Sequence, residues 1–446
     1  MTTVARTASG ELRAAKRLRG DLRLPGDKSI SHRALMLGLL AEGDTRIQGA
    51  GDGADVRSTA AIVAALGAGV SRAEGAGGNV DYVVSSAGAA GFAPPSQVLD
   101  CGNSGTSMRL FAGILAGLPV PVVLDGDASL RSRPMGRVIE PLRAMGAAIA
   151  GSGRDEARPP LRVGGRRGLQ AIDWTTPVAS AQVKSAILLA ALGADGTTVV
   201  RESIATRDHT ERMLGGRGVA VRSRHDARGG AVVEIDGGSP VQARDQLVPG
   251  DPSAAAFWLV AGAIHGDAEL HLRGVGVNPT RRAVIELLRR MGASIEEHAA
   301  SEAGGEPIAD LAVESSDLEG IEVTAEETAA AIDEIPVLCL AATQACGTTV
   351  IRAAGELRNK ESDRVAGSVT GLRALGARIE SVGDDIVIEG PAELHGGVVD
   401  SLGDHRLAMT FAIASLVANG TTTILDADCV SISYPTFFAD LERIRS

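Results

Sequence analysis

Residues 24–50 read "LPGDKSISHRALMLGLLAEGDTRIQGA". Pro25-Gly26-Asp27 reads as a turn, and the apolar run through "ALMLGLLA" reads as a helix. Lys28, Ser29, His32 and Arg33 fall in the first turns of that helix. A helix N-terminus already carries about half a positive charge, so two cations there oppose their own backbone. Residues 248–275, "VPGDPSAAAFWLVAGAIHGDAELHLRGV", follow the same plan of turn, cap, apolar helix, Gly-Asp and strand. So do "LDCGNSGTSMRLFAGILAGLPVPVVLDG" from Leu99, "TPVASAQVKSAILLAALGADGTTVVRES" from Thr176, "AAIDEIPVLCLAATQACGTTVIRAAG" from Ala330 and "LGDHRLAMTFAIASLVANGTTTILDAD" from Leu402. The starts lie roughly 70–85 residues apart, so six units of that size fill the chain.

The first five units carry a second helix pattern: "ADVRSTAAIVAALGAGV", "RPMGRVIEPLRAMGAAI", "RDHTERMLGGRGVAV", "NPTRRAVIELLRRMGASI" and "ESDRVAGSVTGLRALGARI". Apolar residues recur at helical spacing, and each pattern ends in Gly, as a C-cap before a strand requires. The last unit offers "YPTFFADLERI" in that place. Each unit is therefore predicted as strand, helix, strand, helix, strands. The first helix is apolar nearly all round and is expected to be buried; the second is amphipathic. Two domains of three units each, in an α/β fold, is the simplest packing. A scaffold of solenoid repeats fits less well, because such repeats are shorter, about 20–50 residues.

At 446 residues the chain is too long for one ordinary core. Aromatic residues make up 2%, too few for base-stacking platforms, and the net charge is −11. Both argue against nucleic acid as a partner. A small anion remains possible, because the local field decides there. Cys101, Cys339, Cys346 and Cys429 form no C-x-x-C or zinc-like spacing and read as buried free thiols of a cytosolic protein. No apolar run approaches the roughly 20 residues of a membrane span. The N-terminal "MTTVARTASGELRAAKRLRG" lacks the apolar segment of a secretory signal and reads as a tail leading into a first strand. A soluble, cytoplasmic, monomeric protein is expected.

The unusual polar residues fall at helix starts. In the first helices they are Lys28, Ser29 and Arg33; Asn103, Ser104, Gly105, Thr106 and Arg109; Ser180 and Gln182; Asp333 and Glu334; and Asp404, His405 and Arg406. Before the second helices lie Arg133, then Arg207, Asp208 and His209, then Lys360, Glu361 and Arg364. If the units pack pseudo-symmetrically, these ends converge on a cleft that favours negative charge. Such a cleft suits a phosphate and a carboxylate together, and Arg binds both through paired hydrogen bonds. Asp333 and Glu361, carboxylates among cations, are candidate general bases. There is no H-E-x-x-H, EF-hand, P-loop or G-x-S-x-G motif; "GDGAD" and "GAGGN" each lack the rest of a nucleotide motif. No metal and no cofactor is expected. The residues point to an enzyme for phosphorylated, carboxylated small molecules without naming its reaction.

The segments "LPGDKSISHRALML", "GNSGTSMRL", "RPMGR", "NKESDR" and "GDHRLAM" resemble, in order, the signature segments of the 5-enolpyruvylshikimate-3-phosphate synthase family. "SAQVKSAILLAAL" and "RDHTERML" are similar to its bacterial class II branch. The resemblance spans roughly residues 20–440. It implies the two-domain enolpyruvyl transferase fold, an inside-out α/β barrel with three βαβαββ units per domain. One discontinuous domain would take residues 1–23 and 248–446, the other 24–247, with the active site in the cleft between them. It also implies the reaction: the 5-hydroxyl of shikimate 3-phosphate attacks C2 of phosphoenolpyruvate, C3 is protonated, and the tetrahedral intermediate loses phosphate. This is a shikimate-pathway step of aromatic amino-acid biosynthesis and a glyphosate target.

Carried over by position, Lys28 would contact both substrates. Ser29, Arg33, Ser180, Ala181, Gln182, Arg207 and Lys360 would hold shikimate 3-phosphate. Asn103, Gly105, Thr106, Arg133, Gln182, Arg364 and Arg406 would serve phosphoenolpyruvate. Asp333 would take the 5-hydroxyl proton, and Glu361 would deliver and recover the C3 proton. His32, His209 and His405 read as structural donors. Where many relatives carry Lys-Thr-Phe-Pro, this chain has Ile432-Ser433-Tyr434-Pro435, so a phosphate-contacting Lys is missing. The related transferase acting on UDP-N-acetylglucosamine has a Cys in its mobile loop and Lys-Asn early on. Here stand "GDASLRSRP" and Lys28-Ser29, against that alternative. A non-catalytic anion-binding protein would have no need of both Asp333 and Glu361.

Overall fold

Six helices are buried along most of their length: Lys28–Leu40, Gly105–Leu115, Ala181–Ala191, Pro252–Ile264, Ile335–Gln344 and His405–Ala414. They come from a computed structural model of the chain that describes residues 8–119, 121–164, 168–226 and 229–445. These are the six apolar runs of the repeat. In Pro252–Ile264 every residue from Pro252 to Ala263 is buried, as a helix apolar all round must be.

Side-chain caps set where four of them begin. Asp27 accepts from the Ile30 N–H (2.8 Å), Ser104 from Ser107 (3.1 Å), Asp251 from Ser253 (2.8 Å) and Asp404 from Arg406 (2.9 Å). Each satisfies an N–H that the helix leaves unpaired. Three of these caps are carboxylates, so the helix starts that carry Lys28 and Arg406 also carry their own negative charge.

The strands repeat one arrangement. Among the described residues there are five four-stranded sheets and one three-stranded sheet of the same plan, with one extra two-stranded pair. In the second unit Leu99–Asp100 runs parallel to Pro121–Asp125, which is antiparallel to Arg158–Gly164, itself antiparallel to Ile149–Ser152. The buried helix Gly105–Leu115 lies between the two parallel strands in sequence, and Gly136–Ala144 precedes the antiparallel pair. Parallel neighbours need such a crossover, which is why each unit reads strand, helix, strand, helix, two strands.

The chain divides into two compact units, one of Gly26–Val248 with Glu302–Glu306, the other of Met1–Pro25, Pro249–Ser301 and Pro307–Ser446. Each completes its sheets with a strand distant in sequence. In the 26–248 unit, Gln246–Leu247 pairs parallel with Glu42–Ala50, so the last strand finishes the first sheet. In the C-terminal unit, Leu18–Arg23 pairs parallel with Ala268–Gly276, and Ala8–Arg13 pairs antiparallel with Thr421–Leu425. The segment Glu302–Glu306 joins the 26–248 unit, where the Glu306 carboxylate lies 2.7 Å from His209 Nδ1.

The expectation for the cysteines needs correction. All four are free and Cys101 and Cys339 are buried, but Cys346 is exposed and Cys429 half-buried. Cys346 follows helix Ile335–Gln344 in the turn to strand Gly347–Ile351, beyond the helix's buried face. No helix among the described residues is long and apolar enough to cross a membrane.

Two of the buried helices meet at a glycine. A Cβ on Gly113 would lie 2.2 Å from the Ala186 carbonyl oxygen, inside any possible contact. Gly215 in helix His209–Gly216 has no atom within 4 Å of such a Cβ. Gly113→Ala is therefore expected to cost about 1–3 kcal/mol of unfolding free energy. Gly215→Ala should be neutral or stabilising by up to about 1 kcal/mol. Urea unfolding midpoints check both, and equal shifts would refute the close helix approach.

Candidate active site

In the 26–248 unit the turn that opens the first helix is held from below. Gly26 N–H donates to Asn79 Oδ1 (2.8 Å), and Gly51 N–H donates to Ser31 Oγ (3.1 Å). A Cβ at Gly26 would fall 2.0 Å from the Gly49 carbonyl oxygen, so only glycine fits that approach. Lys28 Nζ is paired with the buried carboxylate of Asp55, while its side chain stays 31% exposed. The two glycine-rich stretches "GDGAD" and "GAGGN" thus supply Asp55 and Asn79, the supports of the Lys28 turn.

Arg33 is buried rather than presented. Its Nε donates to Thr210 Oγ1 (2.7 Å), one Nη to Ser185 Oγ (2.7 Å) and the other to the Ser29 carbonyl (3.0 Å). Burial lowers its pKa to about 10, which leaves the guanidinium charged at neutral pH. It ties the Ser29 backbone to helices Ala181–Ala191 and His209–Gly216. Ser180 holds the N-cap position of the first of these without a side-chain cap bond, and Ala181 begins that helix. Arg207 and Asp208 lead into the second, where Asp208 pairs with Arg212 Nε (2.8 Å).

Gln182 sits between two helix starts. Its Oε1 accepts from Arg109 Nη1 (2.6 Å) and its Nε2 donates to Thr106 Oγ1 (2.9 Å). Asn103 Oδ1 accepts from Arg133 Nη2 (2.5 Å), and its amide nitrogen donates to Asp127 Oδ2 (2.7 Å). A Cβ on Gly105 would come within 2.6 Å of Arg109 Nη1 and 3.4 Å of Arg133 Nη1, so the missing side chain leaves room for two guanidinium groups. His32 lies beneath, fully buried, with Nδ1 2.7 Å from Thr59 Oγ1. Thr59 Oγ1 is 2.7 Å from Ser107 Oγ, which donates to the Ser104 cap oxygen (2.8 Å). His32 therefore links the helix starts that carry Lys28 and Gly105.

The C-terminal unit gathers its five candidates into one cluster. Arg364, with a side chain 1% exposed, donates from Nε to Asp404 Oδ2 (2.8 Å) and from Nη2 to Glu361 Oε2 (2.5 Å). Its Nη1 reaches Asp333 Oδ1 at 3.4 Å, and Lys360 Nζ lies 3.7 Å from the same oxygen. Arg406 Nη1 donates to the Asp333 carbonyl (3.0 Å). Burial would strip the Arg364 charge, but the carboxylates of Glu361, Asp404 and Asp333 outweigh it and hold the pKa above its ordinary value. Burial would likewise push the Asp404 carboxyl up, yet Arg364 holds it below the usual range. Asp333 and Glu361 remain 19% and 33% exposed, open enough to meet a ligand.

The C-terminal segment that lacks the Lys is fastened otherwise. Tyr434 is buried, accepts from Trp258 Nε1 (3.1 Å) and donates to Asp440 Oδ2 (2.9 Å). Its ring packs edge-on against Phe437 with centroids 5.5 Å apart.

Residues 12–441 match the family model described as EPSP synthase (3-phosphoshikimate 1-carboxyvinyltransferase). The chain belongs to the EPSP synthase family. A curated relative from Gloeobacter violaceus named 3-phosphoshikimate 1-carboxyvinyltransferase is 51% identical over 433 residues, covering 97% of this chain and 98% of its own. One from Geobacter metallireducens with the same name is 47% identical over the same coverage. The solved EPSP synthase of Acinetobacter baumannii superposes with a TM-score of 0.87 at 40% identity, covering 98% of both chains. The enolpyruvyl transferase NikO of Streptomyces tendae shares the fold alone, with a TM-score of 0.76 at 18% identity over 97% of this chain and 96% of its own. The chain thus has the two-domain enolpyruvyl transferase fold of the EPSP synthases.

Burial lowers the His32 pKa from 6.5 to about 3. Between those values the unfolded chain holds a proton that the folded chain refuses. The stabilisation is complete above pH 6.5 and is lost as the pH falls toward the folded value, by at most about 1.4 kcal/mol per pH unit. Urea unfolding at about pH 7.5 and about pH 5 should show a smaller acid loss for His32→Gln than for the parent chain. Parallel losses would remove His32 as the source.

Proposed function

We propose that this EPSP synthase family member transfers the enolpyruvyl group of phosphoenolpyruvate to the 5-hydroxyl of shikimate 3-phosphate and releases phosphate. The observation that carries the reading is the Asp333–Lys360–Glu361–Arg364–Arg406 cluster, in which two accessible carboxylates sit among three cations. Relatives about half identical along nearly the whole chain carry the name of that activity.

The chemistry needs a base at the hydroxyl and an acid at C3. Asp333 takes the 5-hydroxyl proton while the oxygen bonds to C2 of phosphoenolpyruvate. Protonated Glu361 gives its proton to C3, turning the methylene into a methyl group. In the second step Glu361 takes a proton back from that methyl group, the double bond reforms, and the C2–O bond to phosphate breaks, the departing phosphate oxygen taking up the proton that Asp333 had removed from the hydroxyl. Before ligand arrives, Glu361 is held to Arg364 Nη2. A phosphate or carboxylate on Arg364 competes for that guanidinium, weakening the pairing that favours ionised Glu361 and so favouring the protonated form that the first step uses.

The other residues position and neutralise. Lys28, Gly105, Arg133, Arg364 and Arg406 serve phosphoenolpyruvate, with Asn103, Thr106 and Gln182 beside them. Ser29, Arg33, Ser180, Ala181, Gln182, Arg207 and Lys360 serve shikimate 3-phosphate, with Lys28 shared between the substrates. Together the cations offset roughly six negative charges on the two substrates and stabilise the departing phosphate. The reading includes a cytoplasmic monomer; its four free cysteines support a reducing compartment.

Purified protein should release phosphate from shikimate 3-phosphate with phosphoenolpyruvate, and none with UDP-N-acetylglucosamine in its place. The reverse preference would overturn the assignment. Glu361→Gln should lower kcat by about 10²–10⁴-fold with far smaller changes in either KM. An unchanged kcat would remove Glu361 from the proton transfers.

A further inference from the structure

Glu334 is 4% exposed, adjoins Asp333 in sequence, and has no part in the chemistry above. A buried carboxylate is costly unless it is paired and hydrogen-bonded. Here Ser253 Oγ donates to Glu334 Oε1, and Arg281 Nη2 donates to that same hydroxyl (2.7 Å). Arg281 also pairs with Asp251 Oδ1 (3.2 Å), the cap of helix Pro252–Ile264. On its other side Glu334 Oε1 lies 3.8 Å from Arg406 Nη1, the nitrogen that donates to the Asp333 carbonyl.

The result is a string of ion pairs and hydrogen bonds, Asp251, Arg281, Ser253, Glu334, Arg406, with the neutral Ser253 hydroxyl between Arg281 and Glu334. It connects the starts of helices Pro252–Ile264, Ile335–Gln344 and His405–Ala414. Ser253, Arg281 and Glu334 are each 5% exposed or less, so the string cannot swing as a surface ion pair would. Arg406, with 14% of its side chain exposed, is its accessible end.

We propose that Glu334 is a positioning residue that aims Arg406 at phosphoenolpyruvate before the substrate arrives. This rests on the reading that Arg406 binds that substrate. Without Glu334, the guanidinium loses its carboxylate partner and keeps its bond to the Asp333 carbonyl. Preorganisation then fails first for the ligand that Arg406 holds.

The test is steady-state kinetics of Glu334→Gln, which keeps shape and a hydrogen-bond acceptor but removes the charge. The KM for phosphoenolpyruvate should rise about tenfold, with the KM for shikimate 3-phosphate and kcat each changing less than about threefold. Glu334→Asp should recover part of the loss. Ser253→Ala, which leaves the charge but removes its donor, should move the same KM in the same direction by about threefold, and it serves if the Gln variant does not fold. Unchanged KM values, or both KM values and the melting temperature worsening in step, would overturn the proposal. Arg406→Ala separates this from the underlying reading. If that variant spares phosphoenolpyruvate binding, the assignment of Arg406 is wrong; if it weakens binding while Glu334→Gln does not, only the positioning role falls.

Discussion

The cluster of the C-terminal unit depends on one buried charge. Arg364 has 1% of its side chain exposed, and an unpaired guanidinium there would cost several kcal/mol. Asp404 at the cap of one helix, Glu361 one turn back, and Asp333 before another helix meet that cost together. The requirement runs both ways. The cation needs carboxylates, and in meeting that need it gathers the two that the reaction would use. A substrate anion then competes for a charge already in place.

The 26–248 unit meets its cations differently. Arg33 is held by hydroxyl and carbonyl oxygens, Arg109 and Arg133 by amide oxygens of Gln182 and Asn103, and Lys28 pairs with the carboxylate of Asp55. Neutral partners fix the direction of these guanidinium groups without cancelling their charge. That arrangement suits holding anions. The carboxylate-rich cluster of the other unit suits moving protons.

Much of this was legible in the chain. The six apolar helices repeat strongly enough to show the βαβαββ plan, and the misplaced cations mark the helix ends that carry the candidate site residues. Local pattern could not show the closing strands. Leu18–Arg23, Ala8–Arg13 and Gln246–Leu247 pair far along the chain, and periodicity carries no information about partners. Nor could it show that "GDGAD" supplies the partner of Lys28, because Asp55 matters through contact and not through a motif. Asp404 and Glu334 stood out only as polar residues at helix starts. Their roles arise from burial beside arginines that the fold brings in from elsewhere.

The central chemical claim is that C3 of phosphoenolpyruvate passes through a methyl group that gains a proton on addition and loses one on elimination. A methyl group rotates within picoseconds to nanoseconds, so its three hydrogens become equivalent before one is removed. Turnover of shikimate 3-phosphate and phosphoenolpyruvate in deuterium oxide, with mass analysis of the enolpyruvyl product, tests this directly. Deuterium in the product methylene is the expected result. Phosphate release with a methylene containing only protium would contradict addition and elimination at this site.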